Sequence, residues 1–285
     1  MKPIQLGLPK GRMCDGVQQL MAEAGCPVQT TSRNYRASID LAGFEAKILK
    51  PQGIVEMLQA GRRDVGFAGA DWVEELDVDL VELLDTGMDK VKIVAAAPEN
   101  LLEGRELPNR PLVVASEYSR LTQSWIARRG LSATFLRSWG ATEVLPPEDA
   151  DCIVDNTATG STLAANRLAI IDTLMTSSTR LYANPRVLED AAKRSLIEDF
   201  VLLLTSVITA RDRVMLECNV SKEALERVVQ IVPCMREPTI SPLYSEAAFA
   251  VKVAVPRNKL SALIPGLKRN GATDIVVSRI DQIVA

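Results

Sequence analysis

A chain of 285 residues with 47% hydrophobic and 24% charged side chains is large enough to bury cores in two or three domains. A net charge of −3 and 4% aromatics argue against a broad nucleic-acid-binding face or a base-stacking surface. The chain has no histidine, which excludes Ser-His-Asp hydrolysis, imidazole acid–base work and His-ligated metals. The five cysteines, Cys14, Cys26, Cys152, Cys218 and Cys234, are odd in number and never form Cys-x-x-Cys. That pattern fits reduced thiols rather than structural zinc or disulfides. The N-terminus lacks an apolar signal core, and the longest apolar run, around Phe200 to Ala210, is broken by Thr205, Ser206 and Thr209. A cytoplasmic protein without a membrane span is expected.

Residues 4–8 read as a buried strand, and Met13, Val17, Leu20, Met21 and Ala24 repeat at helical spacing. Between them lie Lys10, Gly11 and Arg12. Cations at a helix N-terminus are unfavourable by roughly 0.3–1 kcal/mol each, so two of them suggest an anion at the same helix end; a solvated loop is the plainer alternative. Residues 46–50 are the next strand, and Pro51 and Gln52 open a helix that stops at Gly61. In DVGFAGADWVEE (64–75), Val65, Phe67 and Ala68 form a strand, and Asp71 reads either as a helix cap or as a ligand. Strand–helix–strand alternation predicts βαβ units and a parallel sheet.

Lys90 to Ala97 is a strand leaving the first lobe, and 98–111 is a surface loop. A second alternating block follows: strand 112–116, a helix from Ser119 to Ala127, and strand 133–137. Glu117 and Glu143 are either cleft residues or solvated carboxylates. In DCIVDNTATGSTLAAN (151–166), a strand ends in small polar residues from Asn156 to Gly160, and a helix opens at Ser161. Backbone N–H groups and hydroxyls then surround one point at a helix start, an arrangement suited to phosphate, while Asp155 can hold ribose hydroxyls. An ordinary strand-to-helix crossover with a Ser/Thr cap is the alternative. Thr179 to Ala183 reads as a strand returning to the first lobe. From Arg213 onward the alternation of apolar residues predicts β-α-β-β-α-β, a ferredoxin-like unit with no residue of catalytic type.

The stretch Asp155-x3-Thr159-Gly160-Ser161-Thr162-Leu163-x2-Asn166 resembles the phosphoribosyl-pyrophosphate loop of the ATP phosphoribosyltransferases, the first enzymes of histidine biosynthesis. IQLGLPKGRM (4–13), DVGFAGADWVEE (64–75), LVVASEY (112–118), TSSTRLYANP (176–185) and MREPTISPLY (235–244) support it in the family's order. The similarity covers nearly the whole chain, including a C-terminal segment of the long form.

The resemblance implies an α/β fold: a two-lobed, type II periplasmic-binding-protein-like catalytic core plus a C-terminal ferredoxin-like (ACT-like) α+β domain. The expected divisions are 1–92 with 179–212 for the first lobe, 93–178 for the second, and 213–285 for a regulatory domain. The implied reaction condenses ATP, through adenine N1, with phosphoribosyl pyrophosphate and releases pyrophosphate. Lys10, Arg12 and Asp155 are the expected catalytic residues. Gly11, Asp71, Glu117, Glu143, Ala158, Thr159, Gly160, Ser161, Thr162 and Leu163 are the expected substrate contacts. Mg²⁺ held mainly by substrate phosphates, feedback inhibition by histidine, and a homo-oligomer (dimer and hexamer) complete the implied picture. The chain departs from the family pattern at Asn156-Thr157-Ala158, where more apolar residues are common, and at Arg167, where glycine is usual. The competing reading is a non-catalytic two-lobed ligand-sensing or regulatory subunit.

Overall fold

A computed structural model describes residues 2–29, 36–104, 106–244 and 247–284. The described residues fall into two compact units, Met1–Gln19 with Cys26–Glu198, and Leu20–Gly25 with Asp199–Ala285. In chain order the first contains β1 (Ile4–Pro9), α1 (Met13–Glu23, which runs into the second), β2 (Val28–Gln29), β3 (Arg36–Ile39), β4 (Phe44–Leu49), α2 (Pro51–Gln59), β5 (Val65–Gly69) and α3 (Ala70–Leu76). It continues with β6 (Val81–Pro98), β7 (Leu112–Ser116), α4 (Ser119–Arg129), β8 (Ala133–Arg137), β9 (Cys152–Thr157), α5 (Ser161–Ala165) and β10 (Leu168–Ala183). Helix α6 (Ala191–Arg211) begins in this unit and ends in the other.

Ten strands join in one sheet, ordered β2-β3-β4-β1-β5-β10-β6-β9-β7-β8. Strand β1 is parallel to β4 and β5, and β7 is parallel to β8 and β9. The two long strands β6 and β10 run antiparallel to one another through both halves. The C-terminal end of β10 pairs with β5, and the C-terminal half of β6 pairs with β9. The result is the two-lobed type II periplasmic-binding-protein arrangement, with each lobe ordered second-first-third-antiparallel-fourth. Both crossing strands are longer than their apolar runs suggest. Strand β6 starts at Val81 rather than Lys90, because Asp85-Thr86-Gly87-Met88-Asp89 interrupts the alternation with register shifts. Strand β10 starts at Leu168, well before Thr179.

The lobes bury separate cores. Ile54, Val55, Leu58, Ala68 and Tyr182 pack together in the first. Ile93, Val114, Trp125, Cys152 and Val154 line one side of the second sheet half, and Val94, Ala115, Ile153 and Leu163 line the other. Both faces of the central strands are therefore covered, which is why they read as unbroken apolar runs. Glu75 of α3 ties the lobes together. Its carboxylate accepts the N–H groups of Arg120 and Leu121, each at 3.0 Å, at the start of α4.

The second unit carries β11 (Arg213–Ser221), α7 (Leu225–Ile231), β12 (Thr239–Pro242), β13 (Ala248–Pro256), α8 (Leu260–Arg269) and β14 (Thr273–Arg279). Its antiparallel sheet has the order β12-β13-β11-β14, the ferredoxin-like topology. Val214, Leu216, Cys218 and Val220 of β11 pack with Val251, Val253 and Val255 of β13 beneath the two helices. Within the loop expected at 98–111, Arg105 lies outside the described residues; Glu99–Leu101 forms a single 3-10 turn there. Among the described residues no helix is long and apolar enough to cross a membrane.

Candidate active site

The loops that leave the carboxyl ends of β1, β5, β7 and β9 line two adjoining cavities in the first unit. The larger, of about 430 Å³, is walled by Arg12, Glu117, Gly140 to Glu143, Asp155 to Thr159, and Ser161 to Leu163. The smaller, of about 170 Å³, is walled by Lys10, Arg12, Asp71, Trp72, Asp89, Tyr118, Asn156 and Ser177 to Thr179, among others. Arg12, Val91 and Asn156 line both. Of the residues singled out from the sequence, Gly11 and Gly160 are absent from either wall, and both turn the chain at positive φ.

The loop after β9 is locally self-supporting. The strand persists to Thr157, past the expected exit at Asn156, because Thr157 still pairs with Lys92. Thr157 Oγ1 then accepts the Gly160 N–H at 2.9 Å, and Gly160 turns the chain at φ +82°, which favours glycine. The Thr159 and Ser161 hydroxyls lie 2.9 Å apart. The first helical bond of α5 runs from the Ala164 N–H to the Gly160 carbonyl, so the N–H groups of Thr162 and Leu163 precede it. The Leu163 side chain is buried in the core with Val94 and Ile153, so it anchors the loop and can offer a ligand only its backbone. Helix α5 has only five residues, so its dipole adds little to the N–H groups and hydroxyls at its start. Anion affinity here must come from N–H groups and hydroxyls. Arg167, just past the helix, sits at φ +56°, a conformation that suits the glycine usual in the resembled pattern.

Asp155 is half-buried at the end of β9, and its carboxylate accepts the Asn156 N–H at 2.7 Å. Burial foremost, then the charges of Glu143 and Glu117, push its pKa up to about 6, against the lowering effect of that N–H bond. Three carboxylates therefore share the larger cavity with Arg12. Such a site accepts donors such as hydroxyls, or a cation delivered with a ligand.

On the other side, Lys10 and Arg12 are exposed in the loop before α1. Arg12 Nη1 lies 3.9 Å from Asp89 Oδ1 and donates to the Asp89 carbonyl at 3.4 Å, a loose contact that an anion can displace. Asp71 is not a helix cap. The helix begins at Ala70, and the hydroxyl of Ser177, from β10, takes the capping position: it accepts the Asp71 N–H at 3.1 Å and donates to Asp71 Oδ1 at 2.6 Å. Tyr118 donates to Asp71 Oδ2 at 2.7 Å, and the Trp72 and Tyr118 rings sit 4.9 Å apart. A β-carbon on Gly69 would collide with the Asp71 carboxylate, so glycine there lets that carboxylate keep its bonds to Ser177 and Tyr118. Burial, followed by the Asp71 charge, pushes the Tyr118 phenol far up and keeps it a neutral donor.

Tyr118, Ser177 and Asn156 are not among the site residues expected from the sequence. For Ser177 the available signal was the run Ser177-Ser178-Thr179 next to the apolar end of its strand, where three buried hydroxyls require partners.

Comparison with known proteins adds independent findings. Residues 50–206 match the family model described as ATP phosphoribosyltransferase, and residues 210–282 match that described as HisG, C-terminal domain. A relative from Chlorobium luteolum named ATP phosphoribosyltransferase is 39% identical over 295 aligned positions, covering 99% of this chain and 98% of the relative. A relative of the same name from Koribacter versatilis is 37% identical, covering 99% of each. Among solved structures, the ATP phosphoribosyl transferase (HisG:HisZ) complex from Thermotoga maritima contains a chain 24% identical to this one. That match has a TM-score of 0.62 and covers 71% of this chain and 98% of the other.

Proposed function

The chain belongs to the ATP phosphoribosyltransferase family in its long form, and on that premise we propose how its residues divide the work. The enzyme condenses ATP with 5-phosphoribosyl 1-pyrophosphate to give N1-(5-phosphoribosyl)-ATP and pyrophosphate, the first step of histidine biosynthesis. Adenine N1 carries a free lone pair at neutral pH, so the attack on the anomeric carbon requires no strong base. The protein must align two polyanions, stabilise an oxocarbenium-like ribose and balance the charge of the departing pyrophosphate.

Thr159, Gly160, Ser161, Thr162 and the Leu163 backbone hold the ribose 5-phosphate, with the Ala158 backbone beside them. Asp155 accepts the ribose hydroxyls, with Glu117 near it. Lys10 and Arg12 hold triphosphate or pyrophosphate, with Gly11 setting their turn. Asp71 belongs to the ATP side. The observation that carries this reading is the meeting of Arg12, Asp155 and the Thr159–Thr162 loop on one cavity.

Mg²⁺ fits the donor chemistry, since hard oxygen ligands from Glu143 and its neighbours face the cavity. Among the described residues no group of three His, Cys, Asp or Glu side chains is placed to hold a metal by itself. Substrate phosphates would supply the other ligands, and the ion would neutralise charge on the leaving pyrophosphate. The first lobe comprises 1–92 with 179–212, the second 93–178, and the regulatory domain 213–285. That domain binds histidine as a feedback inhibitor. The protein acts in the cytoplasm as a homo-oligomer, a dimer and a hexamer. Exposed apolar residues of the second unit, such as Val276, Ile240 and Met235, support association. Pyrophosphate release by the full chain, with both substrates and with or without histidine, tests the whole reading. Release that needs both substrates and falls with histidine supports it; release with phosphoribosyl pyrophosphate alone, or a rate indifferent to histidine, refutes the corresponding part.

A further inference from the structure

Asn156 is exposed at the end of β9, and its side chain belongs to the walls of both cavities. Its amide Nδ2 lies 3.3 Å from the Tyr118 hydroxyl and 3.3 Å from Asp155 Oδ1. Tyr118 in turn donates to Asp71, which Ser177 fixes from the crossing strand. One chain of hydrogen bonds thus runs from Asp71 in the first lobe, held by Ser177 of the crossing strand, through Tyr118 and Asn156, to Asp155 in the second. Asp71, Ser177 and Tyr118 are each buried to within a few per cent. Their geometry is over-determined, and Asn156 is the exposed link able to respond to a ligand. An apolar side chain at this position would leave Asp155 without the amide bond and the chain broken at Tyr118.

We infer that Asn156 is a positioning residue that couples the two substrate sites: occupancy of the cavity beside Asp71 and Tyr118 fixes the Asn156 amide and through it orients the Asp155 carboxylate for the ribose, and ribose on Asp155 fixes the same amide in return. A ligand in that cavity meets the Tyr118 hydroxyl that Asp71 already holds and closes Asn156 against it. That hydroxyl holds the Asn156 amide, which then offers its second hydrogen to Asp155 and fixes the face of the carboxylate turned to the cavity. The coupling is reciprocal, because each ligand stabilises the arrangement the other requires. The inference rests on the proposed placing of phosphoribosyl pyrophosphate at the Asp155 loop and of ATP in the adjoining cavity.

The test is calorimetric binding of phosphoribosyl pyrophosphate to the full chain, alone and with saturating 1-deaza-ATP, whose base lacks the attacking nitrogen and cannot react. In the parent protein the analogue should tighten phosphoribosyl pyrophosphate by roughly 5- to 50-fold, within the usual range of such coupling. Asn156→Leu, or Asn156→Ser should the first fail to fold, should bring that factor close to one and leave binding of phosphoribosyl pyrophosphate alone within a few-fold. Tyr118→Phe should give the same loss, and the double variant no further one, as expected of links in one chain. A coupling factor that persists in the Asn156 variants overturns the inference, as does its absence in the parent. An equal loss of affinity with and without the analogue also overturns it, since Asn156 would then be a direct ligand. Failure of the parent to bind either compound would instead overturn the placing of the substrates.

Discussion

In the first lobe the strand order is β4-β1-β5-β10-β6, and in the second it is β8-β7-β9-β6-β10, the crossing strands exchanging roles between them. Equivalent loops follow the first strand of each lobe, Lys10-Gly11-Arg12 after β1 and Glu117-Tyr118 after β7. Equivalent positions also follow the third strand, Ala70-Asp71 at the start of α3 after β5 and the loop Ala158 to Gly160 after β9. The contents of these loops are opposite. The first lobe offers two cations and one buried acid already held by Ser177 and Tyr118. The second offers acids, hydroxyls and a glycine turn. The scaffold therefore supplies four positions around a cleft, and the chemistry resides in what each lobe places there. A reaction joining two polyanions benefits from this asymmetry, because one lobe can hold charge by ion pairing and the other by hydrogen bonding.

The sharpest way to break the comparison is to erase the second lobe's phosphate loop. Gly160→Val forces a β-branched residue into φ +82°, and Thr162→Val removes a hydroxyl. Either is expected to cost about 2–4 kcal/mol or more of transition-state stabilisation, enough to suppress turnover. The fold should survive, since no atom lies within 4 Å of the missing Gly160 β-carbon and Thr162 is exposed. Near-normal calorimetric binding of phosphoribosyl pyrophosphate by both variants would overturn the assignment of the loop.

A smaller effect is expected in the first lobe. Arg12→Ala should weaken the polyphosphate substrate by about 1.5–3 kcal/mol, the range of a charged hydrogen bond. Melting temperature should hold or rise slightly, because the contact with Asp89 is long and the Arg12 side chain is half exposed. A large fall in melting temperature with unchanged substrate affinity would make Arg12 a structural residue.

The strands and most helices were legible because buried parallel strands leave continuous apolar runs and amphipathic helices leave a period, as in residues 4–8 and 112–116. The second lobe's loop was legible because small polar residues between a strand and a helix have few other uses. What escaped was set by partners distant in sequence. Asp71 reads equally as a cap or a ligand because the hydroxyl that performs the capping arrives from Ser177, 106 residues away. Tyr118 looked incidental because its partner sits 47 residues earlier. The first half of strand β6 leaves no trace in the sequence because its bulge around Gly87 carries no period. The short length of α5 was hidden as well: Ser-Thr-Leu-Ala-Ala is good helical sequence, and only the turn at Arg167 stops it.

The comparison can also be sharpened through stability, since the second lobe's acidic content should carry a cost that the first lobe's paired acid does not. Asp155 has a folded pKa near 6 against an ordinary value of 3.8, chiefly because it is buried, with Glu143 and Glu117 adding repulsion. A carboxyl whose folded pKa is raised binds more protons in the folded state than in the unfolded one between those values. Stability contributed by this group therefore falls as pH rises from about 4 to about 6, and the loss is complete above that window. Asp155→Asn keeps the shape and an acceptor for the Asn156 N–H, and removes the charge. It should raise stability at pH 7.5 by about 1–3 kcal/mol, discounted for partial exposure, and have almost no effect at pH 3.5. The same variant should lose most of its turnover, since the ribose hydroxyls lose a charged acceptor. Chemical denaturation of both proteins at the two pH values decides the matter. A variant equally stable to the parent at pH 7.5 would show that Asp155 is solvated or already compensated in the free enzyme, and the contrast between the lobes would then be one of ligand chemistry alone.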